Sequence, residues 1–116
     1  MPLAALRLPS PEVPVIHVIA TIQVAPGARE AFLEQFRAVM PHVLAEQGCI
    51  EYGPAVDVAT PLPIQEPVRD DVVVVIEKWD SVAALHAHTR TPHMADYRTR
   101  VKDFVVGVTL QVLAPA

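Results

Sequence analysis

The sequence lacks the residues on which several large classes of protein depend. Its single cysteine, Cys49, excludes an intrachain disulfide and a cysteine-based zinc site, and it is typical of a reducing compartment. No cluster of lysines and arginines is present, and the net charge of −4 argues against a nucleic-acid partner. No apolar run approaches the roughly 20 residues of a membrane-spanning helix, and no export signal is visible. We therefore expect a cytoplasmic protein with no membrane or nucleic-acid partner.

Glycine is also scarce, and the few glycines stand apart from one another. A loop that cradles a phosphate needs several closely spaced glycines, because its backbone must approach the anion. This spacing is absent, since the glycines are Gly27, Gly48, Gly53 and Gly107. The sequence therefore predicts no nucleotide or flavin bound in this way, and we expect no cofactor.

Aromatic residues make up only 5% of the chain, whereas hydrophobic residues make up 52%. The core must therefore consist mainly of valine, alanine, leucine and isoleucine, which makes each aromatic side chain a candidate for a specific role. A chain of 116 residues has the usual length of one domain. Four prolines among residues 1–14 predict an extended N-terminal arm, followed by a single domain over residues 15–116.

Hydrophobic periodicity predicts four strands, at residues 15–24, 49–58, 71–79 and 105–113. It predicts helices at residues 28–47, 82–90 and 92–103, and a proline-rich loop at residues 59–70. Pro41 should kink or split the first helix, and Gly48 should follow the end of that helix as its C′ residue. Pro54, after Gly53, should mark a bulge or an edge in the second strand.

The order β-α-β-β-α-β predicts a ferredoxin-like α+β sandwich, in which helices cover one face of a four-stranded antiparallel sheet. The first strand is largely apolar on both faces, with Val18 and Ala20 on one face and Ile19 on the other. The face without helices would then expose apolar side chains. We therefore expect a homodimer that packs sheet to sheet around a two-fold axis.

Ionisable and aromatic residues cluster where the third strand meets the next helix. The strand ends in Glu77-Lys78-Trp79, and Asp80-Ser81 supplies a good helix N-cap. His88 lies one turn after Leu85, and His93 follows Pro92 at the start of the last helix. Such groups beside an apolar element favour a catalytic or binding site at this corner.

These motifs resemble the antibiotic biosynthesis monooxygenase family of dimeric α+β barrels, which includes small quinol monooxygenases. The residues that carry the resemblance are Val24-Ala25-Pro26-Gly27, Phe32, Phe36, the segment from Glu46 to Tyr52, Glu77 to Ser81, Leu85, Ala87-His88 and Thr91 to Met94. They span nearly the whole predicted domain. They are specific for the family but not for a substrate.

The resemblance implies a cofactor-independent monooxygenase that oxidises a quinol or a polycyclic phenol with O2. The small aromatic substrate would lie between the sheet and the helices. Haem-degrading relatives carry an asparagine where Ala20 stands and a histidine beyond His93, so the resemblance implies no haem here. Two alternatives remain: a non-redox enzyme such as a lactone isomerase, and a non-enzymatic module that binds a small apolar ligand or serves in a stress response.

His88 is the first candidate for a catalytic residue. A neutral imidazole can take a phenolic proton, although His88 could instead be a buried histidine bonded to a backbone carbonyl or to Glu77. Trp79 could stack on an aromatic substrate or donate its indole N–H to it, or could simply fill the core. Glu77 shares the face of Trp79 and should need a buried partner, which we expect to be a histidine or an arginine.

Tyr52, Phe36 and His93 are further candidates for substrate binding. Tyr52 could hydrogen-bond a substrate oxygen or serve as a core residue, and His93 could face the cavity mouth or cap its helix. His17 should lie at a subunit interface. The solvent-facing candidates are His42 and His86. Because His86 and His88 lie on different sides of a helix, we expect no metal site.

Overall fold

The computed structural model describes residues 15–116, so the predicted arm over residues 1–14 lies outside the described part. Residues 15–116 form one four-stranded sheet and three helices. The elements are β1 (Ile16–Val24), α1 (Arg29–Leu44), β2 (Cys49–Ala55), β3 (Val72–Trp79), α2 (Val82–His88), α3 (Pro92–Val101) and β4 (Val105–Leu113). The strand order is β2-β3-β1-β4, and every neighbouring pair is antiparallel. This arrangement confirms the expected ferredoxin-like α+β fold.

The core lies between the sheet and the helices because the side chains of β1 alternate between two environments. Its even-numbered residues are buried, and Val18 is fully covered. They pack against the apolar side of α1, where Phe32 and Phe36 are also fully buried. The period of two in the strand and the helical spacing in α1 therefore meet at a single apolar layer.

The opposite face of the sheet has no helix over it and has a mixed composition. Ile19, Val74 and Ile76 form an apolar centre, because Ile19 and Ile76 are paired across β1 and β3. His17 and Lys78, which are also paired, make one end of this face polar. The face is therefore less uniformly apolar than the sequence suggested. His17 lies on it as expected, while sheet-to-sheet dimerisation stays a prediction.

Pro41 was expected to kink or split α1, and it does not split it. The helix runs through Pro41 and ends at Leu44, so the proline lies in the last turn, and little helix follows the hydrogen bond that its missing N–H removes. The carbonyl of Pro41 still accepts the backbone N–H of Ala45 at 3.2 Å. Because α1 ends earlier than predicted, Gly48 is not its C′ residue. It lies instead in the turn that leads into β2, with φ +87°.

The second strand is also shorter than predicted and ends at Ala55. Its irregularity lies between Cys49 and Glu51, whereas Gly53 and Pro54 keep their register with β3. The predicted bulge at Gly53-Pro54 is therefore wrong, but the predicted edge position is right. An edge strand tolerates proline because one of its sides makes no sheet hydrogen bonds.

The third strand leads into α2 and α3 through two side-chain caps. Ser81 accepts the N–H of Ala84 at 3.0 Å, and Thr91 accepts the N–H of Met94 at 3.3 Å. Both helices lie where the sequence predicted them, although each ends two residues earlier. Within residues 15–116, none of the helices is both long and apolar enough to span a membrane.

Candidate active site

A cavity of about 460 Å³ lies between the helices and the covered face of the sheet. Most of its wall is apolar, and the residues that form this part include Val18, Ala20, Val75, Leu85, Met94 and Val101. A space of this size and character suits a small aromatic molecule, because drug-sized and cofactor-sized ligands bind in apolar cavities of this range.

Two tyrosines bring hydroxyl groups to this cavity. Tyr52 and Tyr97 both line it and are largely buried. Within residues 15–116, every fully buried side-chain polar atom has a hydrogen-bond partner. Neither tyrosine hydroxyl forms a hydrogen bond to these residues, so both hydroxyls must be accessible from the cavity or from solvent. Burial raises the pKa of each hydroxyl, which keeps both neutral and able to donate a hydrogen bond. Phe36 stacks on Tyr52 with ring centroids 5.2 Å apart and completes the aromatic wall.

His88 is held in one orientation by a carboxylate that is not in the cavity wall. Its Nδ1 lies 3.0 Å from Oε2 and 3.2 Å from Oε1 of Glu46. A carboxylate only accepts hydrogen bonds, so Nδ1 carries the proton and Nε2 keeps its lone pair. Nε2 has no hydrogen-bond partner within residues 15–116. Because every fully buried side-chain polar atom there has a partner, Nε2 is not fully buried. Since His88 lines the cavity, its Nε2 is available to a ligand.

Glu46 reaches His88 because Gly48 allows the turn before β2 to pack closely against the turn between β3 and α2. The N–H of Asp80 donates to the carbonyl of Gly48 at 2.9 Å. A Cβ atom on Gly48 would lie only 2.6 Å from the Cβ of Ala84, and the φ of +87° is itself unfavourable for other residues. The turn that carries Glu46 is therefore fixed against the start of α2. Glu46 begins one of the family motifs, but nothing in the sequence indicated that it belongs to the site.

His93 shares the same carboxylate and does not line the cavity. Its Nε2 lies 2.6 Å from Oε2 of Glu46, and its ring stacks on that of His42 at 5.7 Å. Two positions were considered for His93, the cavity mouth and a helix cap, and its ring contacts Glu46 instead. Its role in substrate binding stays a prediction. His42 and His86 are exposed, as predicted.

Glu77 has a different partner from the one that the sequence suggested. It accepts the indole N–H of Trp79 at 2.8 Å, rather than a hydrogen bond from a histidine or an arginine. Burial raises the pKa of Glu77, while the Trp79 hydrogen bond and the nearby His88 act in the opposite direction. Glu77 lines the cavity, so this carboxyl can meet a ligand.

Trp79 lies behind the cavity rather than in its wall. It is fully buried, and its ring centroid is 4.8 Å from that of His88. Its indole N–H is already used by Glu77, so neither stacking on a substrate nor donation to it fits this position. Trp79 supports the two residues that do face the cavity.

Sequence reasoning missed several cavity residues, including Tyr97, Arg98 and Lys102. Tyr97 follows Met94 and precedes Val101 at helical spacing, which could have indicated that it faces inward. Arg98 and Lys102 also line the cavity, but their charged neighbours in the sequence gave no such signal. No group of three or more histidine, cysteine, aspartate or glutamate side chains within residues 15–116 is arranged to hold a metal ion. The lack of a metal or cofactor stays a prediction.

A ferredoxin-like fold with an apolar cavity, an oriented histidine and two free hydroxyls defines a small-molecule binding protein. Residues 15–100 match the family model described as antibiotic biosynthesis monooxygenase. The chain therefore belongs to this family, which confirms the resemblance found in the sequence motifs.

Individual relatives and solved structures agree with this assignment. The chain is 42% identical over 103 residues to "Probable quinol monooxygenase YgiN" of Escherichia coli strain K12, covering 87% of this chain and 98% of that protein. The crystal structure of PA3566 from Pseudomonas aeruginosa is 27% identical, with a TM-score of 0.74 over 89% of this chain and 95% of that one. The structure of Rv0793 from Mycobacterium tuberculosis is 28% identical, with a TM-score of 0.72 over 88% and 95%.

Proposed function

We propose that this protein is a cofactor-independent monooxygenase that oxidises a quinol or a polycyclic phenol with O2. The observation that carries this proposal is His88, whose Nδ1 is fixed by Glu46 and whose Nε2 is available in an apolar cavity. Membership of the family and the activity named for the Escherichia coli relative support the same reaction class.

The first step is removal of a phenolic proton. The O–H bond of the substrate breaks, the proton moves to Nε2 of His88, and Glu46 stabilises the resulting imidazolium through the Nδ1 proton. The neutral hydroxyls of Tyr52 and Tyr97 can donate hydrogen bonds to the oxygen that becomes negative.

Oxidation follows because the phenolate is electron-rich enough to reduce O2. One oxygen atom then enters the ring and the other leaves as water, so a quinol and O2 become a hydroxyquinone and water. All the electrons come from the substrate, and no further reductant is needed. Trp79 acts in this scheme as a positioning residue, because it packs on His88 and bonds Glu77.

The proposal is tested by O2 uptake with a panel of hydroquinones and naphthalene diols. His88→Ala should lower turnover by about 10²- to 10⁴-fold, the usual effect of losing a general base. Glu34→Gln, an exposed change on α1, is the matched control and should leave turnover unchanged. Full activity of folded His88→Ala would refute His88 as the base, and no O2 uptake by the wild type would refute the oxygenase.

Proton transfer without oxidation is a second candidate function, and Glu77 is the observation that favours it. Glu77 lines the same cavity as His88 and burial raises its pKa, and two titratable groups in such different environments can move a proton between two atoms of a substrate. A lactone isomerase would use this arrangement without O2. Product formation under strict anaerobic conditions would favour the isomerase, because the oxygenase needs O2.

We also infer that the protein is a homodimer joined through the uncovered sheet face. The apolar centre formed by Ile19, Val74 and Ile76 supports this, since Ile76 remains 36% exposed in a single chain. Light scattering at micromolar concentration tests it, and a monodisperse monomer would contradict it. A cytoplasmic location and the absence of any cofactor belong to the same proposal. A flavin or haem spectrum that survives dialysis would overturn the latter.

A further inference from the structure

Two cations line the wall of an otherwise apolar cavity. Arg98 lies on α3, and Lys102 follows it by four residues, directly after the helix ends. Side chains four residues apart lie on the same side of a helix, so both cations can serve one region of the cavity. Neither forms a salt bridge within residues 15–116. Arg98 donates one hydrogen bond, to the carbonyl of Thr89 at 2.6 Å.

The cations mark the open side of the cavity. Val108 and Leu110 of β4 line the same space and are 57% and 55% exposed, whereas Val18 on the central strand is fully buried. The cavity therefore opens between β4 and the C-terminal half of α3. His88, at 4% exposure, is buried in the same cavity, whereas Arg98 and Lys102 are exposed.

Within residues 15–116, no acidic group of the cavity wall balances this positive charge at the opening. Glu77 is the one carboxyl among these lining residues, and it is buried against Trp79. Low-dielectric walls around an opening of one charge concentrate its field and attract ligands of the opposite charge. The chain as a whole has a net charge of −4, so general anion attraction by the surface does not account for such a preference.

We propose that the substrate is an aromatic acid, with a phenolic hydroxyl at one end and a carboxylate at the other. The hydroxyl lies near His88, and the carboxylate lies between Arg98 and Lys102 at the opening. This inference rests on the proposed function, because it takes the cavity as the site of the phenol. It adds the charge of the substrate and the direction in which the substrate enters.

Calorimetric binding of two non-quinol probes tests the inference without any turnover. The probes are 6-hydroxynaphthalene-2-carboxylate and its neutral carboxamide, which have the same ring system and nearly the same shape. The wild type should bind the carboxylate more tightly, and the preference should weaken as NaCl increases, because these cations are exposed. Lys102→Gln should lower carboxylate affinity by about two- to fivefold, and Arg98→Gln with Lys102→Gln by about five- to twentyfold.

Arg100→Gln is the matched control, since it removes the same charge from an exposed position on α3 that does not line the cavity. It should leave both affinities within about twofold of the wild type. Lys102→Gln also controls for the Arg98 hydrogen bond to Thr89, because it leaves that bond intact. Carboxamide affinity should be unchanged in all variants.

The possible outcomes separate this inference from the proposed function. Equal binding of carboxylate and carboxamide by the wild type would overturn the inference and leave the aromatic cavity in place. Carboxylate binding that is insensitive to both cations would also overturn it. Binding of neither probe would overturn both the inference and the proposed use of the cavity.

Discussion

Replacing Glu46 by glutamine is the sharpest test of how the site works. Glutamine keeps the length of the side chain and an oxygen that can accept from Nδ1 of His88, but it removes the negative charge. The fold should remain intact, because glutamine has nearly the same shape as glutamate and Glu46 lies in the turn between α1 and β2. The variant therefore separates orientation of His88, which glutamine can still provide, from stabilisation of the imidazolium, which requires the charge.

The size of the effect follows from the distance between the charges. Unit charges 3.0 Å apart, as Oε2 of Glu46 and Nδ1 of His88 are, attract by about 5 kcal/mol at an effective dielectric constant of about 20. The amide oxygen of glutamine retains part of this interaction as an ordinary hydrogen bond, which is worth about 1 kcal/mol. His93 also contacts this carboxylate and reduces the share of the attraction that acts on His88. A loss of about 2–4 kcal/mol remains, or about 30- to 1000-fold in turnover.

Steady-state O2 uptake with the best quinol measures this effect. We expect kcat to fall while KM stays close to the wild-type value, because Glu46 does not line the cavity. Thermal unfolding of the same preparations shows whether the variant is folded, and Glu34→Gln controls for removal of a glutamate elsewhere. Wild-type kcat in folded Glu46→Gln would refute the reasoning. A rise in KM with unchanged kcat would show that Glu46 acts on binding instead.

Three further predictions concern the support of the site and its assembly. Trp79→Phe keeps an aromatic ring but leaves Glu77 without its donor, so we expect a loss of about 1–3 kcal/mol in unfolding free energy; stability equal to the wild type would contradict this. Because burial raises the pKa of Glu77 above its ordinary value of 4.5, the wild type should lose stability as pH rises from 4.5 through the raised pKa. Glu77→Gln lacks this loss. In denaturant titrations, its unfolding free energy relative to that of the wild type should therefore rise by up to about 1.4 kcal/mol per pH unit in that window; a constant difference between pH 4 and pH 8 would refute this. Val74→Asp on the uncovered face should give a monomer by light scattering, whereas Val82→Asp, at a position that is 61% exposed on α2, should not.

The fold was predictable because each of its elements has a strong local pattern. Alternation in β1, the valine run in β3 and the helical spacing around Phe32 and Phe36 all indicate one buried layer. The boundaries were less predictable, because they depend on contacts between segments that are distant in sequence. α1 ends before Gly48, since that glycine is needed where the turn meets Asp80 and Ala84. Nothing near Gly48 in the sequence indicates this contact.

The site was predictable in its residue types but not in its pairings. His88, Glu77, Tyr52 and Phe36 line the cavity, as the family motifs suggested. The partner of His88 could not be predicted, because Glu46 is 42 residues away and depends on how two corners pack. The contact between His93 and Glu46 could not be predicted for the same reason. The sequence around a histidine at a helix start does not show whether its side chain faces a cavity or contacts a carboxylate that is distant in sequence.

The segment Glu77-Lys78-Trp79 shows how a single motif can combine support and chemistry. Residues two apart on a strand share a face, so the indole N–H of Trp79 is positioned for the carboxylate of Glu77. Only Glu77 of this pair reaches the cavity, while Trp79 packs behind it and against His88. Phenylalanine at position 79 would preserve the packing and remove the donor, which leaves a buried carboxylate unpaired. Since unpaired buried carboxylates are costly, the two residues act as a unit, and the tryptophan affects the reaction through Glu77 and His88 rather than by touching the substrate.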